Sequence, residues 1–178
     1  FFTDNELGDP SLVMMDMDTG DVTILSEIFT DLWFDMNPTG DTLVFVKKIG
    51  HGTAIYSLPL DSGAVAIRLS YETEPRNPVF SVDGSLVVYT ARDMFGSKNL
   101  YTIQPDGSAY KKVTSFSDPA DAVVPVGITT LEPSILYVMP SQIMKNQFEI
   151  WSITLDGSSD QFLTVCTLEA DDRQKSGR

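Results

Sequence analysis

The chain has 178 residues, enough for one sizeable core, and its apolar and charged fractions are those of a folded protein rather than a disordered one. Twelve Lys and Arg against 25 Asp and Glu give a formal charge of −13, which repels phosphate backbones and anionic lipid and argues against nucleic-acid and membrane-surface roles. The single cysteine, Cys166, excludes an internal disulfide and multi-cysteine metal motifs, and no apolar run reaches the roughly 18 residues of a bilayer span.

The chain opens on Phe1-Phe2-Thr3, within an apolar run and with no visible signal peptide. It therefore reads as a segment of a longer protein. From there three landmarks recur. An aromatic ends a short apolar run (Phe2, Phe45, Tyr89, Tyr137), and a large apolar residue follows in the next (Val13, Tyr56, Tyr101, Trp151). A turn opened by aspartate comes five residues later, at Asp18, Asp61, Asp106 and Asp156. These aspartates are 43, 45 and 50 residues apart, in the range of blade-forming repeats.

Copy one, residues 1–26, has the run before Asp4, then Leu12 to Met15 and Val22 to Leu25, but no opening segment. Copy two, 31–70, opens with Leu32 to Met36 and the turn Asn37-Pro38-Thr39-Gly40, whose Asn, Pro and Gly suit a type I turn. Leu43 to Val46, Ala54 to Tyr56 and Val65 to Leu69 complete it. Copy three, 76–116, is the clearest, with Ser81-Val82-Asp83-Gly84 where copy two has Asn37 to Gly40. Copy four, 122–167, has Leu131-Glu132-Pro133 in place of the glycine turn and the longest hairpin loop, Pro140 to Gln147. Residues 169–178 read as a polar, flexible tail.

The runs are short, β-branched and aromatic, bounded by Gly, Pro, Asp and Asn, which predicts strands. Runs such as Leu86-Val87-Val88-Tyr89 are apolar at successive positions, so both sheet faces are covered. Repeated four-stranded antiparallel sheets covered on both faces are what propeller blades provide. The expectation is an all-β propeller of about three and a half to four blades over residues 1–168. Its first blade lacks a strand, so it forms an open or partial ring, with apolar surface at its ends that favours self-association.

Phe80-Ser81-Val82-Asp83-Gly84-Ser85-Leu86-Val87-Val88-Tyr89-Thr90, then Asn99-Leu100-Tyr101-Thr102-Ile103-Gln104-Pro105-Asp106-Gly107, then Lys112-Val113-Thr114, resembles the WD40-like PD40 repeat of TolB-type β-propellers. Val82 departs from the family's proline, while Pro38 keeps it in a turn without the aspartate. The resemblance implies a bacterial, periplasmic or cell-surface propeller used for protein binding. The same repeat builds the non-catalytic propellers of prolyl-oligopeptidase-like serine peptidases and of some lyases. The alternatives are therefore a gating domain beside a separate hydrolase domain and a carbohydrate- or peptide-binding module.

No catalytic constellation stands out. The lone His51 lies in Gly50-His51-Gly52 with no Gly-x-Ser-x-Gly elsewhere, so it reads as a solvated loop residue. Asp16-Met17-Asp18-Thr19-Gly20-Asp21 lacks the spacing of a calcium loop and reads as a hairpin turn. No metal or cofactor is expected. Of the aromatics Trp33, Tyr56, Tyr101 and Trp151, all but Trp33 hold repeated positions suited to blade packing, and Trp33 is placed ahead of the opening strand. Family geometry puts the loops between second and third strands, and the crossovers between blades, on one face. The contact candidates are thus Trp33, His51, Arg76 in the crossover Glu72 to Asn77, Asp93, Met94 and Phe95, and Ile143 and Met144. Exposed apolar groups among them point to a protein partner.

Overall fold

The computed structural model describes residues 2–4, 10–26, 29–61, 63–117, 123–129, 132–141, 143 and 146–167, with backbone alone at 2–4, 10, 26 and 29–32. Fifteen strands are present among them, and no helix. They are β1 (Phe2–Asp4), β2 (Pro10–Met15), β3 (Val22–Ser26), β4 (Phe29–Met36), β5 (Thr42–Ile49), β6 (Gly52–Pro59), β7 (Ile67–Arg68) and β8 (Thr73–Phe80). Then come β9 (Val87–Arg92), β10 (Lys98–Ile103), β11 (Lys111–Lys112), β12 (Val124–Ile128), β13 (Ser134–Pro140), β14 (Gln147–Thr154) and β15 (Asp160–Thr167).

All pairings are antiparallel between sequence neighbours, giving a three-stranded sheet β1-β2-β3 and three four-stranded sheets, β4 to β7, β8 to β11 and β12 to β15. Among the described residues blade one thus has three strands where the other blades have four. The opening strands face one another in the stack: β8 touches β4 on one side and β12 on the other. The result is a partial propeller of consecutive blades.

The successive apolar positions now have a physical role. Along β9, Val87, Tyr89 and Ala91 pack toward blade two with Val44, Val46, Ile55 and Leu69. Val88, from the other face of the same strand, joins Leu100, Ile135, Tyr137 and Ile153 in the core shared with blade four. Leu43 and Phe45 turn from blade two toward Leu12 of blade one. Each of these sheets is a partition with oil on both sides, and burying such a side chain is worth about 1.5–3 kcal/mol.

The aromatic landmarks are cross-strand partners in three blades: Phe45 with Tyr56, Tyr89 with Tyr101, and Tyr137 with Trp151. Tyr89 and Tyr101 stack with centroids 5.5 Å apart. In blade one the partner of Phe2 is Leu12 rather than Val13, so that landmark is displaced by one residue.

The outer strand ends in one of two ways. In blades one and four it carries an extra residue, at Leu25 and Leu163, where the ladder register slips. In blades two and three its end is capped by hydrogen bonds. The Leu69 and Val113 amides donate to the carbonyls of Ile55 and Leu100 at 2.8 Å. The amides of Ile55 and Leu100 then donate to Ser70 Oγ at 2.7 Å and Thr114 Oγ1 at 2.9 Å. After this cap the chain leaves the sheet, so β7 and β11 are only two residues long. Blade four has Leu163-Thr164 where blades two and three have Leu69-Ser70 and Val113-Thr114, yet β15 continues to Thr167 and is exposed along all eight residues.

Three sequence expectations are corrected. Residues 73–77 are not a crossover loop but the start of β8, and Arg76 pairs with Thr90. Pro75 and Pro78 have no amide to give the ladder, and the register shifts on both sides of Arg76, with Glu74 and Asn77 at positive φ of 50° and 54°. Trp33 lies within β4 rather than ahead of it. In copy one the turn is opened not by Asp18 but by Asp16, whose Oδ1 accepts the Asp18 and Thr19 amides at 2.8 and 3.0 Å. Asp21 accepts the Thr19 hydroxyl, so two of the carboxylates of this loop are spent on the turn itself.

Candidate functional site

The hairpins between second and third strands, Gly50-His51 in blade two and 93–97 in blade three, flank the entry to β8. Blade three's hairpin is held by its own polar groups. The Asp93 amide donates to the Ser97 carbonyl and the Gly96 amide to the Asp93 carbonyl, both at 3.0 Å. Asp93 Oδ1 accepts the Phe95 and Ser97 amides at 2.9 and 3.1 Å. Its Oδ2 accepts from Lys112 Nζ at 2.9 Å and Asn99 Nδ2 at 3.2 Å, and Arg92 donates to the Gly96 carbonyl. The hydrogen bond from Lys112, with the turn amides behind it, holds the Asp93 carboxyl below the usual aspartate range. The turn thus satisfies its own polar groups, and its two apolar side chains, Met94 and Phe95, point outward. They stand 89% and 81% exposed.

Beside this tip lies a hollow lined by Tyr71, Glu72, Thr73, Tyr101, Tyr110 and Lys112, together with Met94 and Phe95 themselves. Glu72 organises it. Its carboxylate accepts the Tyr89 hydroxyl at 3.1 Å and the Tyr71 amide at 3.1 Å, and its charge also acts on the Tyr110 hydroxyl. Tyr89, Tyr101 and Tyr110 form a stacked ladder leading from core to surface. Burial, reinforced by the Glu72 charge, raises all three hydroxyls above the ordinary tyrosine range, with Tyr101 pushed up to about 12.

Glu72 and Thr73 also border a second cleft of about 650 Å³, whose walls include Lys48, His51, Arg68, Glu74 and Arg76. Glu74 is paired with Arg92 at 2.9 Å, which lowers its pKa. Arg68 lies over the Tyr71 ring at 4.4 Å and donates through Nε to the Ser70 carbonyl.

Of the sequence candidates, the fold brings His51, Arg76, Asp93, Met94 and Phe95 around the start of β8. Ile143 is 87% exposed on the corresponding hairpin of blade four but lines neither hollow. Trp33, 42% exposed on β4, also stands apart from them. Met144 lies outside the described residues. Tyr71, Tyr110, Lys48 and Arg68 were not anticipated. Alignment of the copies carried a signal for one of them: Arg68 and Lys112 occupy the same repeat position, just before the buried residue of the blade cap. Among the described residues no group of three or more His, Cys, Asp or Glu is gathered to hold a metal ion.

Solved structures give this architecture a name. A TolB structure from Agrobacterium tumefaciens superposes with a TM-score of 0.72 at 18% identity, over 93% of this chain and 60% of the other. The fold is that of a TolB-like β-propeller. TolB from Acinetobacter baumannii matches with a TM-score of 0.64 at 16% identity, over 88% of this chain and 38% of that one. An acylaminoacyl peptidase from Pyrococcus horikoshii matches 92% of this propeller with 29% of its own length, at a TM-score of 0.64 and 12% identity. The chain therefore spans less than two thirds of each of these proteins. No protein-family model and no curated protein matches the sequence. No helix among the described residues is long and apolar enough to cross a membrane.

Proposed function

We propose that this propeller is a non-catalytic protein-binding scaffold that docks its partner on the face carrying the 93–97 hairpin. The observation behind this reading is a rigidly braced turn that presents Met94 and Phe95 to solvent. Two large apolar side chains fixed in place bind with little loss of conformational freedom, and burying each contributes about 1.5–3 kcal/mol. The adjoining tyrosine-lined hollow supplies the amphipathic surface that protein interfaces favour. A bacterial envelope location belongs to the proposal and is supported by the TolB-like fold. So does self-association: Val22 and Ile24 on β3, and Phe162, Leu163 and Val165 on β15, leave apolar strands exposed on the outer blades.

The test uses the full-length natural protein, tagged in its own host and followed by size-exclusion chromatography of the extract. The wild type elutes in an assembly, Phe95→Asp shifts it to smaller size, and Val82→Asp, on the turn between β8 and β9, leaves it unchanged. Identical elution of wild type and Phe95→Asp contradicts the proposal.

The second reading, a propeller domain that gates a hydrolase, is supported by the match to the Pyrococcus horikoshii peptidase. Under it, the same face contacts a catalytic domain of the same polypeptide, and Phe95→Asp alters peptidase activity instead of assembly.

A further inference from the structure

Resting on that docking reading, we infer that the segment bound beside Met94 and Phe95 is acidic, and that its carboxylates enter the cleft of Lys48, Arg68, His51 and Arg76. The charge distribution carries this. The chain as a whole is strongly acidic at −13, yet Lys48, Arg68 and Arg76 line one cleft, and Arg92 and Lys112 line the hollow that adjoins it. Lys98 is near enough to act on the Glu74 carboxylate.

The acids in the cleft are already engaged, and two of its bases have no carboxylate partner among the described residues. Glu72 holds the Tyr89 hydroxyl and the Tyr71 amide, and Glu74 holds Arg92. Lys48 and Arg68 form no ion pair among the described residues. Arg68 is aimed by its stacking on Tyr71 and its Nε bond to the Ser70 carbonyl, so its guanidinium is pre-ordered for a carboxylate. An isolated positive patch on an acidic body also steers an acidic partner to this face while the rest of the surface repels it.

The two hollows share Glu72 and Thr73, so one extended segment passes from the apolar tip into the basic cleft. The occupant is a peptide segment with apolar residues followed by Asp or Glu. A free small anion is too short to use both parts.

The test measures fluorescence anisotropy of a labelled peptide of two leucines followed by four glutamates, against the same peptide with glutamines. The glutamate peptide binds at least about tenfold more tightly at low salt, and the preference shrinks as NaCl rises. Lys48→Glu, at an exposed strand position whose side chain forms no ion pair among the described residues, weakens the glutamate peptide about fivefold and spares the glutamine peptide. Arg68→Gln does the same, with its melting temperature checked because Arg68 also supports Tyr71. Phe95→Ala weakens both peptides equally. If the two peptides bind equally and both respond to Phe95→Ala, the acidic assignment is overturned while the docking reading stands. If the glutamate peptide fails to bind or ignores Lys48→Glu, the inference falls; if neither peptide responds to Phe95→Ala, the docking reading loses its support as well. Displacement of the glutamate peptide by inorganic phosphate at lower concentration than by glutarate assigns a phosphate site and overturns the peptide class.

Discussion

Thr114→Val is the sharpest probe of how a blade is closed. The substitution is nearly isosteric but removes the Oγ1 that accepts the Leu100 amide at 2.9 Å and donates to Asn99 Oδ1 at 3.0 Å. Leu100 is 0% exposed and Thr114 4%, so water does not replace the lost acceptor. Asn99 Oδ1 keeps the Phe116 amide at 2.7 Å, which leaves the Leu100 N–H as the main orphan. A buried unsatisfied donor costs about 1–3 kcal/mol. Taking ~2 kcal/mol, and about 2–4 °C per kcal/mol for a chain of this size, the melting temperature falls by about 4–8 °C. Thr114→Ser keeps the oxygen and loses one methyl, so its loss is about 1 kcal/mol or less. Ser70→Ala, which orphans the Ile55 amide in blade two, should match Thr114→Val within a factor of two. Differential scanning calorimetry reads all three. A Thr114→Val protein that melts with the wild type, or below which Thr114→Ser falls, refutes the cap as the closing device.

Gly157 sits at φ 76°, and a side-chain carbon built there runs into the Val113 carbonyl of the neighbouring blade, so Gly157→Ala destabilises through both strain and collision, by about 1–3 kcal/mol in a urea titration. Asp35 Oδ2 accepts the Phe80 amide at 2.8 Å and ties the opening strands of blades two and three, so Asp35→Ala lowers stability by about 1–2 kcal/mol, again read by urea. Acid sensitivity follows from the turn carboxylates. Asp83, Asp106 and Asp156 are lowered first by hydrogen bonds from Ser81, Ser108 and Ser158 respectively. A depressed folded-state pKa means stability that is complete above the unfolded value of 3.8 and lost as pH falls through the folded one, so the melting temperature drops below about pH 4; a flat profile to pH 2.5 contradicts this. At the other limb Tyr89, Tyr101, Tyr110 and Tyr137 are raised by burial, so stability holds up to the unfolded tyrosine value of 10 and is lost above it. Tyrosinate absorbance at 295 nm, rising in step with unfolding between about pH 10 and 12, checks it.

The blades were legible because their cause is local and repeated. Alternate residues of Leu86-Val87-Val88-Tyr89 must each be buried, and that need is written as an unbroken apolar run. The turn at Ser81 to Gly84 was equally readable, since only glycine takes φ 72° easily where the Ser81 carbonyl accepts the Gly84 amide. The start of β8 was misread because Pro75 and Pro78 usually mark loops, whereas here two bulges carry the strand past them. The site was only partly visible. Met94 and Phe95 stood out as apolar residues in a polar loop. Lys48 and Arg68 come from different strands, and only packing of blade two against blade three brings them beside Glu72. A single sequence records which side chains exist, and not which of them meet across a blade boundary.

The docking face is tested most directly by placing a photo-crosslinking amino acid at position 95, and in a separate protein at position 82, in the full-length natural protein inside its host. Irradiation should join position 95 to one discrete protein, with the adduct reduced by Lys48→Glu, and should leave position 82 without it. Equal labelling from both positions, or none from position 95, contradicts the account.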